Sequence, residues 1–371
     1  MNIRTRDPLG LRVLFLPDIP QNLENDDRIV GKSVVSLQNE EAGNEVASGG
    51  QFMTQLNPEK IVFDSNIGDG YKIAGFFYPS SAEEIKGVIQ VCHGMAEFLF
   101  RFEPMIEAFN NAGYHVCGMD MPGHGETYKL NLDAGFPKGY FGGLKDGWKV
   151  LLSDEYKFNK LAREHFGTEG LKYFIFGHSM GSFVVRGIFS TPEYSKDFDA
   201  FVFASTMGPN SALKVGRFLA NAGCFLGGKR KKSRFLKIMT FGTFCKRVPH
   251  PKTGCDWICT DEAVVKAYVG DPMCGFTFTN DGFKTLYDLI AFMQSRKAYE
   301  LASDKPCFFT YGSEDPVGSY GKGVEKVIAK MEAYGRNVRS KNYGAYRHEI
   351  HNESVKNEFF TDLIEFYDSN I

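Results

Sequence analysis

Residues 173–185 have the sequence YFIFGHSMGSFVV, and this stretch decides the fold. An apolar run is followed by Gly177, Ser179 and Gly181 in the pattern G-x-S-x-G, and then by residues typical of a helix. In a tight strand-to-helix turn, side chains two positions from the serine would clash, so glycines are needed there. Such a turn lifts the serine hydroxyl above the sheet, at the N-terminus of a helix. The pattern therefore predicts that Ser179 is a catalytic nucleophile.

A serine hydroxyl is a weak nucleophile at neutral pH and needs a base that is itself oriented by an acid. Two later segments supply candidates, each directly after a strand-like run. The first contains Asp315, which we predict to be the acid, with Glu314 as the neighbouring alternative. The second contains His348, which we predict to be the base because it lies in the loop, whereas His351 is expected to open the last helix. The order serine, acid, histidine is the one that accompanies this type of turn.

The tetrahedral intermediate of acyl transfer carries negative charge on oxygen, which backbone N–H groups stabilise. One donor is expected from Met180, directly after the nucleophile. The second is expected from Met95, in the loop that follows the apolar run 87–92. Gly94 would allow this loop to approach the serine closely. Met95 and Met180 are therefore the predicted oxyanion-hole residues.

Strand-like and helix-like segments alternate along most of the chain. This alternation predicts an α/β fold, with a mostly parallel sheet that helices cover on both faces and an antiparallel hairpin at its front edge. The segment 206–283 interrupts the alternation with many aromatic and basic residues, and we expect it to form an inserted helical cap. Residues 1–55 are expected to be a flexible extension because they lack hydrophobic periodicity, which leaves 56–371 as the folded domain. The expected strands are 60–64, 71–78, 87–92, 114–119, 173–176, 200–204, 308–311 and 337–343, and the expected helices are 101–112, 144–165, 179–189, 323–334 and 351–367.

Composition and charge argue against several classes of protein. The formal net charge is −2, so no overall field favours nucleic acid. There is no run of about 18 apolar residues that would predict a membrane-spanning helix. No secretory signal peptide is recognisable, and a cytoplasmic protein is expected. The eight cysteines in a chain of this length are expected to be reduced thiols, and no metal-ligand set is predicted.

A basic run, residues 229–234 (KRKKSR), precedes an apolar stretch that contains Phe235, Phe241 and Phe244. One interpretation is peripheral contact of the cap with anionic lipid or with a phosphate head group. The other is a solvated turn beside a helix whose apolar face covers the cleft. The second interpretation is the one we favour from the sequence.

Five motifs occur in a characteristic order: HGMAE at 93–97, DMPGHG at 120–125, GHSMG at 177–181, GSEDPV at 312–317 and RHEIHNE at 347–353. In order and spacing they resemble the monoacylglycerol lipase and lysophospholipase-like branch of the α/β-hydrolases, often grouped with serine aminopeptidases. The resemblance covers about residues 58–370, is weakest in the cap and implies the α/β-hydrolase fold. By this resemblance the triad positions are Ser179, Asp315 and His348, and the oxyanion-hole positions are Met95 and Met180. A departure lies at 96–98, where the chain has Ala-Glu-Phe and the family often has Gly-Glu-His, which changes the pocket wall.

We therefore predict a carboxylic ester hydrolase of the esterase or lipase type that acts on a small acyl ester or lipid-like substrate. The mechanism requires no metal or organic cofactor. One alternative is a serine aminopeptidase or amidase with the same triad. It would need a carboxylate near the cleft to hold the substrate ammonium, for which the candidates are Glu97, Asp261 and Glu262. The other alternative is a binding protein that kept this fold without catalysis. Acyl chain length and oligomeric state are left open.

Overall fold

The apolar runs of the sequence form the strands of one eight-stranded sheet. A computed structural model describes residues 56–371, and the flexible extension expected for residues 1–55 lies outside the described residues. In chain order the strands are β1 Glu59–Asp64, β2 Lys72–Tyr78, β3 Gly87–Cys92, β4 Tyr114–Met119, β5 Lys172–His178, β6 Ala200–Ala204, β7 Cys307–Tyr311 and β8 Val338–Asn342. Their order across the sheet is β1-β2-β4-β3-β5-β6-β7-β8. The contacts of β2 with β1 and β4 are antiparallel, and all other neighbours are parallel.

Helices cover both faces of this sheet. In chain order they are α1 Glu103–Asn111, α2 Gly125–Leu130, α3 Gly147–Phe166, α4 Met180–Phe189, α5 Pro192–Ser195, α6 Leu213–Gly227, α7 Arg234–Phe241, α8 Glu262–Gly270, α9 Asn280–Met293, α10 Arg296–Leu301, α11 Lys322–Ala333 and α12 Lys356–Asp368. On one face, α3, α4, α9 and α11 share a hydrophobic core with the sheet, and on the other face α1 and α12 do so. Strands β3, β6 and β7 are buried along their whole length, as parallel strands between two helical layers must be. The predicted fold class is confirmed.

The end of the chain differs from the prediction. His351 lies in a short 3-10 turn, Ile350–Asn352, and the last helix begins only at Lys356. The His351 side chain is buried, and its ring stacks on Phe102 with centroids 4.6 Å apart. The expectation that His351 opens the last helix is therefore wrong. Its ring is buried against Phe102, in the turn before α1, and this contact holds residues 350–352 outside the helix.

The chain between β6 and β7 forms the helices above the carboxyl ends of the strands. Helices α6, α7 and α8 lie within the range expected for the cap, and we call these three the cap helices. Helix α9 begins in the last residues of that range and packs against α3 and α4. The boundaries 206–283 stay a prediction. Among residues 56–371, no helix is both long and apolar enough to cross a membrane.

The basic run lies between α6 and α7 and takes part in contacts with the loop that follows α2. Lys229 Nζ donates a hydrogen bond to the carbonyl of Gly143 at 2.5 Å, and Arg230 donates to the carbonyl of Gly135 at 3.1 Å. The Arg230 guanidinium also lies over the ring of Phe136, 5.0 Å from its centroid. Lys229 and Arg230 are exposed to solvent, and they also connect the cap helices to the rest of the domain.

Candidate active site

Ser179 stands at the sharp turn between β5 and α4. Its backbone has φ +51° and ψ −120°. A Cβ atom on Gly181 would overlap the carbonyl oxygen of Cys92 at the end of β3, and one on Gly177 would lie 2.5 Å from the carbonyl oxygen of Gly181. Both glycines are required because the turn packs directly onto itself and onto β3. The turn predicted from the sequence is present, and it presents Ser179 partly exposed.

Asp315 and His348 come together from the loops after β7 and β8. His348 Nδ1 lies 3.0 Å from Asp315 Oδ2, and both side chains are buried. The other oxygen of Asp315 accepts from the backbone N–H of Val317 at 2.9 Å. Because Asp315 accepts at Nδ1, the tautomer with a free Nε2 is favoured for His348. Glu314, the neighbouring alternative, is partly exposed, and the described contacts pair His348 with Asp315.

The loop after β3 lies against Ser179. A Cβ on Gly94 would overlap Glu97 Oε1 and lie 3.1 Å from the Cβ of Ser179, so glycine allows the loop to lie this close to the nucleophile. Met95, which follows Gly94, and Met180, the first residue of α4, line the same cavity as Ser179. The N–H groups of a first helical turn have no partner within their helix, which leaves the Met180 N–H available. The structure thus brings both predicted oxyanion-hole residues next to the serine.

Two buried histidines hold this loop in place. His93 Nε2 accepts from the N–H of Met121 at 2.9 Å, and its Nδ1 donates to the carbonyl of Gly94 at 2.8 Å. His124 Nε2 accepts from the N–H of Ala96 at 3.1 Å. Burial lowers the pKa of His124 to about 3, with the nearby His93 acting in the same direction. His124 is therefore neutral at physiological pH, as an acceptor at Nε2 must be.

A buried group of charges beneath the site was missed by reasoning from the sequence. Arg101 donates two hydrogen bonds to Glu349, at 2.8 and 2.7 Å, and a further one to Glu97. Glu97 also accepts from the N–H of Gly94 at 2.6 Å and lies 3.1 Å from His178 Nδ1. The sequence held a hint of these ion pairs, since Glu97 and Arg101 are four residues apart, as in an ion pair along a helix, and Glu349 directly follows the predicted base.

His178 connects this group to the base. Its Nε2 lies 3.2 Å from the carbonyl oxygen of His348, so both ring nitrogens face acceptors. Burial alone would lower the pKa of His178, but the hydrogen bond and charge of Glu97 raise it above its ordinary value. Burial would raise the pKa of Glu97, but His178 and Arg101 lower it well below its usual range. The pair is therefore ionised, and it fixes the backbone of the base relative to the loop after β3.

Each of the three candidates for the carboxylate that an aminopeptidase would need is already paired or lies away from Ser179. Glu97 is paired with Arg101 and His178. Asp261 caps α8 by accepting from the N–H of Ala263 at 2.8 Å. Glu262 is exposed and pairs with Lys252 at 2.6 Å. Asp261 and Glu262 line neither of the cavities at Ser179.

Two cavities meet at Ser179. Cavity A has a volume of about 990 Å³, part of it open to solvent, and is mostly apolar; its lining includes Phe183, Leu213, Met239, Phe241, Leu286 and Ile290. Cavity B has a volume of about 650 Å³, part of it also open to solvent. It is mostly apolar as well, but its lining includes charged and polar side chains, among them Glu97, Lys237, Tyr268, His348 and Glu349. Ser179, Met95 and Phe241 line both. A substrate with its carbonyl at Ser179 can therefore place its two halves in two spaces that are both mostly apolar, of which only cavity B is lined by charged side chains.

The chain is similar to known hydrolases in sequence and in fold. The chain belongs to the serine aminopeptidase S33 family, whose family model matches residues 83–355. It is 24% identical to a monoacylglycerol lipase of Mycolicibacterium smegmatis over 296 residues, which is 77% of this chain and 89% of that protein. The structure of a thermostable carboxyl esterase from Bacillus coagulans in complex with glycerol is 27% identical, with a TM-score of 0.77 over 84% of this chain and 98% of that one.

A soluble variant of monoglyceride lipase from Saccharomyces cerevisiae has the same fold, with 20% identity and a TM-score of 0.67 over 86% of this chain and 97% of that one. The resemblance to the monoacylglycerol lipase-like branch of the α/β-hydrolases is confirmed. Family and relatives together define the chain as a serine hydrolase of the carboxylesterase and lipase type.

Proposed function

We propose that this chain hydrolyses lipid-like acyl esters of the monoacylglycerol type with Ser179 as nucleophile, His348 as base and Asp315 as orienting acid. The observation that carries the proposal is that cavity A, large and mostly apolar, opens directly onto Ser179. Apolar lining favours a hydrocarbon chain, because burial of apolar surface is worth about 25 cal/mol per Å². The acyl half of the substrate therefore occupies cavity A, and the alcohol half occupies cavity B.

The chemistry follows from the arrangement of these side chains. Ser179 Oγ attacks the ester carbonyl while His348 Nε2 takes its proton, and Asp315 stabilises the imidazolium that forms. The N–H groups of Met95 and Met180 stabilise the oxyanion. The intermediate collapses as His348 protonates the leaving alcohol, and water then attacks the acyl-enzyme with His348 again acting as base. Fatty acid and free enzyme result.

Hydrolysis of a series of p-nitrophenyl esters from acetate to palmitate, and of octanoylglycerol, tests the proposal for the wild type and for Ser179→Ala. We expect activity that rises with chain length to an optimum set by cavity A, and a loss of about 10⁶-fold in the variant. Ser340→Ala is the control, because Ser340 is exposed on β8 and lines neither cavity. Equal rates for wild type and Ser179→Ala would refute the nucleophile.

The aminopeptidase alternative is tested with aminoacyl p-nitroanilides. The carboxylates of cavity B, Glu97 and Glu349, are both held by Arg101, which leaves little negative charge for a substrate ammonium. We therefore expect esters to be hydrolysed faster than aminoacyl anilides. Faster anilide turnover would overturn the ester assignment, and failure to react with a fluorophosphonate probe would favour the non-catalytic alternative.

We further propose that the cap helices meet a lipid surface. Several large apolar side chains on α6 and α7 are exposed, including Phe225 at 88%, Leu226 at 82% and Phe218 at 72%. Exposed apolar patches of this kind mark interaction surfaces. Val215 and Met239 are also exposed and line cavity A. The apolar surface is thus continuous with the space proposed for the acyl chain, which favours lipid over a protein partner.

A further inference from the structure

Cavity B contains a lysine for which the proposed reaction has no use. Lys237 lies on α7, and its side chain lines cavity B together with Ser179 and His348. Its Nζ donates one hydrogen bond, to the carbonyl of Gly275 at 2.9 Å. The N–H of Gly275 in turn donates to the carbonyl of Ala96 at 3.0 Å, next to Met95. Two successive hydrogen bonds therefore connect the ammonium of Lys237, through Gly275, to the loop that lies against Ser179.

The other charges around cavity B balance one another. Glu97 and Glu349 are negative, and Arg101 and His178 are positive and bonded to them. Within residues 56–371, no carboxylate lies at ion-pair distance from Lys237. Burial lowers the pKa of Lys237, and the charge of Arg234 acts in the same direction. Among the residues that the structure describes, Lys237 is therefore a partly buried cation without an anionic partner on the wall of cavity B.

The ammonium retains donor capacity beyond its bond to Gly275. A lysine ammonium has three N–H donors, and the carbonyl of Gly275 uses one of them. A phosphate or carboxylate oxygen in cavity B would supply both the missing charge and further acceptors. Charge-assisted hydrogen bonds of this kind are about twice as strong as neutral ones. The carboxylates of Glu97 and Glu349 would not repel such a group strongly, because Arg101 holds both of them.

We propose that Lys237 is a specificity-determining residue that selects esters whose alcohol half carries an anionic group, a phosphate or a carboxylate. The proposal rests on the proposed function, in that it places the alcohol half in cavity B. A neutral glycerol ester fills the same space without pairing the cation. An acyl ester of glycerol phosphate, or of a hydroxy acid, pairs it while the carbonyl lies at Ser179.

The test compares octanoyl esters of glycerol, glycerol 3-phosphate and 3-hydroxypropanoate. We expect the ratio of kcat/KM for each anionic ester to that for the glycerol ester to fall 10- to 100-fold in Lys237→Met, and to be largely kept in Lys237→Arg. The two anionic esters distinguish phosphate from carboxylate as the preferred group.

Lys266→Met is the matched control, since Lys266 is exposed on α8 and lines neither cavity. Its kcat/KM ratios should equal those of the wild type. A Lys237→Met variant that loses activity equally on all three esters would overturn the proposal and leave Lys237 as a tie between α7 and Gly275.

A binding measurement separates this proposal from the proposed function. Calorimetric titration of Ser179→Ala with octanoylglycerol 3-phosphate needs no turnover. We expect its Kd to rise 10- to 100-fold when Lys237→Met is added, with a smaller change for octanoylglycerol. Equal changes for the two ligands would refute the role of Lys237. Absence of ester hydrolysis by the wild type would instead refute the proposed function.

Discussion

Ser179 has a backbone conformation that few residues other than glycine adopt. It is held from both sides, because its N–H donates to the carbonyl of Ala204 at 3.0 Å and its carbonyl accepts from Ser182 Oγ at 2.5 Å. Strain of this kind costs on the order of 1–3 kcal/mol and persists where the surroundings over-determine it. The fixed backbone places the side chain at the junction of the two cavities before a substrate arrives.

A substitution at His348 tests the proposed base. We expect His348→Gln to lower kcat on p-nitrophenyl octanoate by roughly 10⁴- to 10⁶-fold, because the members of a triad act as a unit. Steady-state kinetics measure the loss, and thermal melting by circular dichroism shows whether the variant is folded. His250→Gln is the control, since His250 is exposed and lines neither cavity. A rate within tenfold of the wild type would mean that another group takes the proton.

At the scale of elements, α7 combines three roles in eight residues. Lys237 lines cavity B, Met239 lines cavity A, and Phe241 lines both. Phe235 and Ile238 are exposed to solvent. The helix is capped by Ser233, whose side chain accepts from the N–H of Leu236. Any displacement of α7 would therefore change both cavities and the surface that we propose to face lipid.

Vesicle binding tests the proposed lipid contact of the cap helices. We expect the double variant Phe225→Ser, Leu226→Ser to lower the vesicle-bound fraction at least fivefold in flotation with phosphatidylcholine vesicles. Loss of exposed apolar area removes the hydrophobic part of the association. Val62→Ser is the control, because Val62 is exposed on the edge strand β1. Unchanged flotation of the double variant would contradict the proposal, and added phosphatidylserine would show any contribution of the basic run.

At the scale of the whole molecule, buried carboxyl groups couple stability to pH. Glu155 on α3 lies beneath the sheet, where Gln90 donates to its Oε2 at 2.7 Å. Burial raises the pKa of Glu155 to about 8, although hydrogen bonds from Gln90 and Cys92 act in the opposite direction. The folded state therefore holds a proton that the unfolded chain, with a pKa of about 4.3, releases. The contribution of this group to stability is full below about pH 4.3 and is lost as the pH rises to about 8.

Glu155→Gln should remove this dependence. We expect the melting temperature of the variant, relative to that of the wild type, to rise by roughly 5 °C between pH 5 and pH 8, which corresponds to about 3 kcal/mol. Calorimetric melts at the two pH values provide the measurement. Glu164→Gln, an exposed position on the same helix, is the matched control. If the difference in melting temperature between Glu155→Gln and the wild type is the same at pH 5 and pH 8, Glu155 is ionised in the folded protein.

Much of the fold could be predicted because its signals are local. Strands β3, β4 and β6 have the predicted bounds, since buried parallel strands are continuous apolar runs. The pairing of Asp315 with His348 followed from their places after successive strands. The bonds from Arg101 to Glu349 join segments 248 positions apart, and the spacing of Glu97 and Arg101 and the place of Glu349 after the base do not by themselves show that these segments meet. The position of His351 was missed for the same reason, since its burial depends on Phe102. The cytoplasmic location expected from the sequence stays a prediction.

The meeting of two cavities at Ser179 also affects what can react with the proposed acyl-enzyme after the ester bond is cleaved. In the proposed reaction, the alcohol departs from cavity B while the acyl chain still fills cavity A, so the covalent intermediate would have an empty chamber beside its carbonyl. Whatever enters that chamber next decides the product. Water gives hydrolysis, whereas a second alcohol that fits the chamber gives a new ester. If the proposed acyl-enzyme forms, the walls of cavity B set the partition between these outcomes, and we expect acyl transfer wherever such alcohols outcompete water.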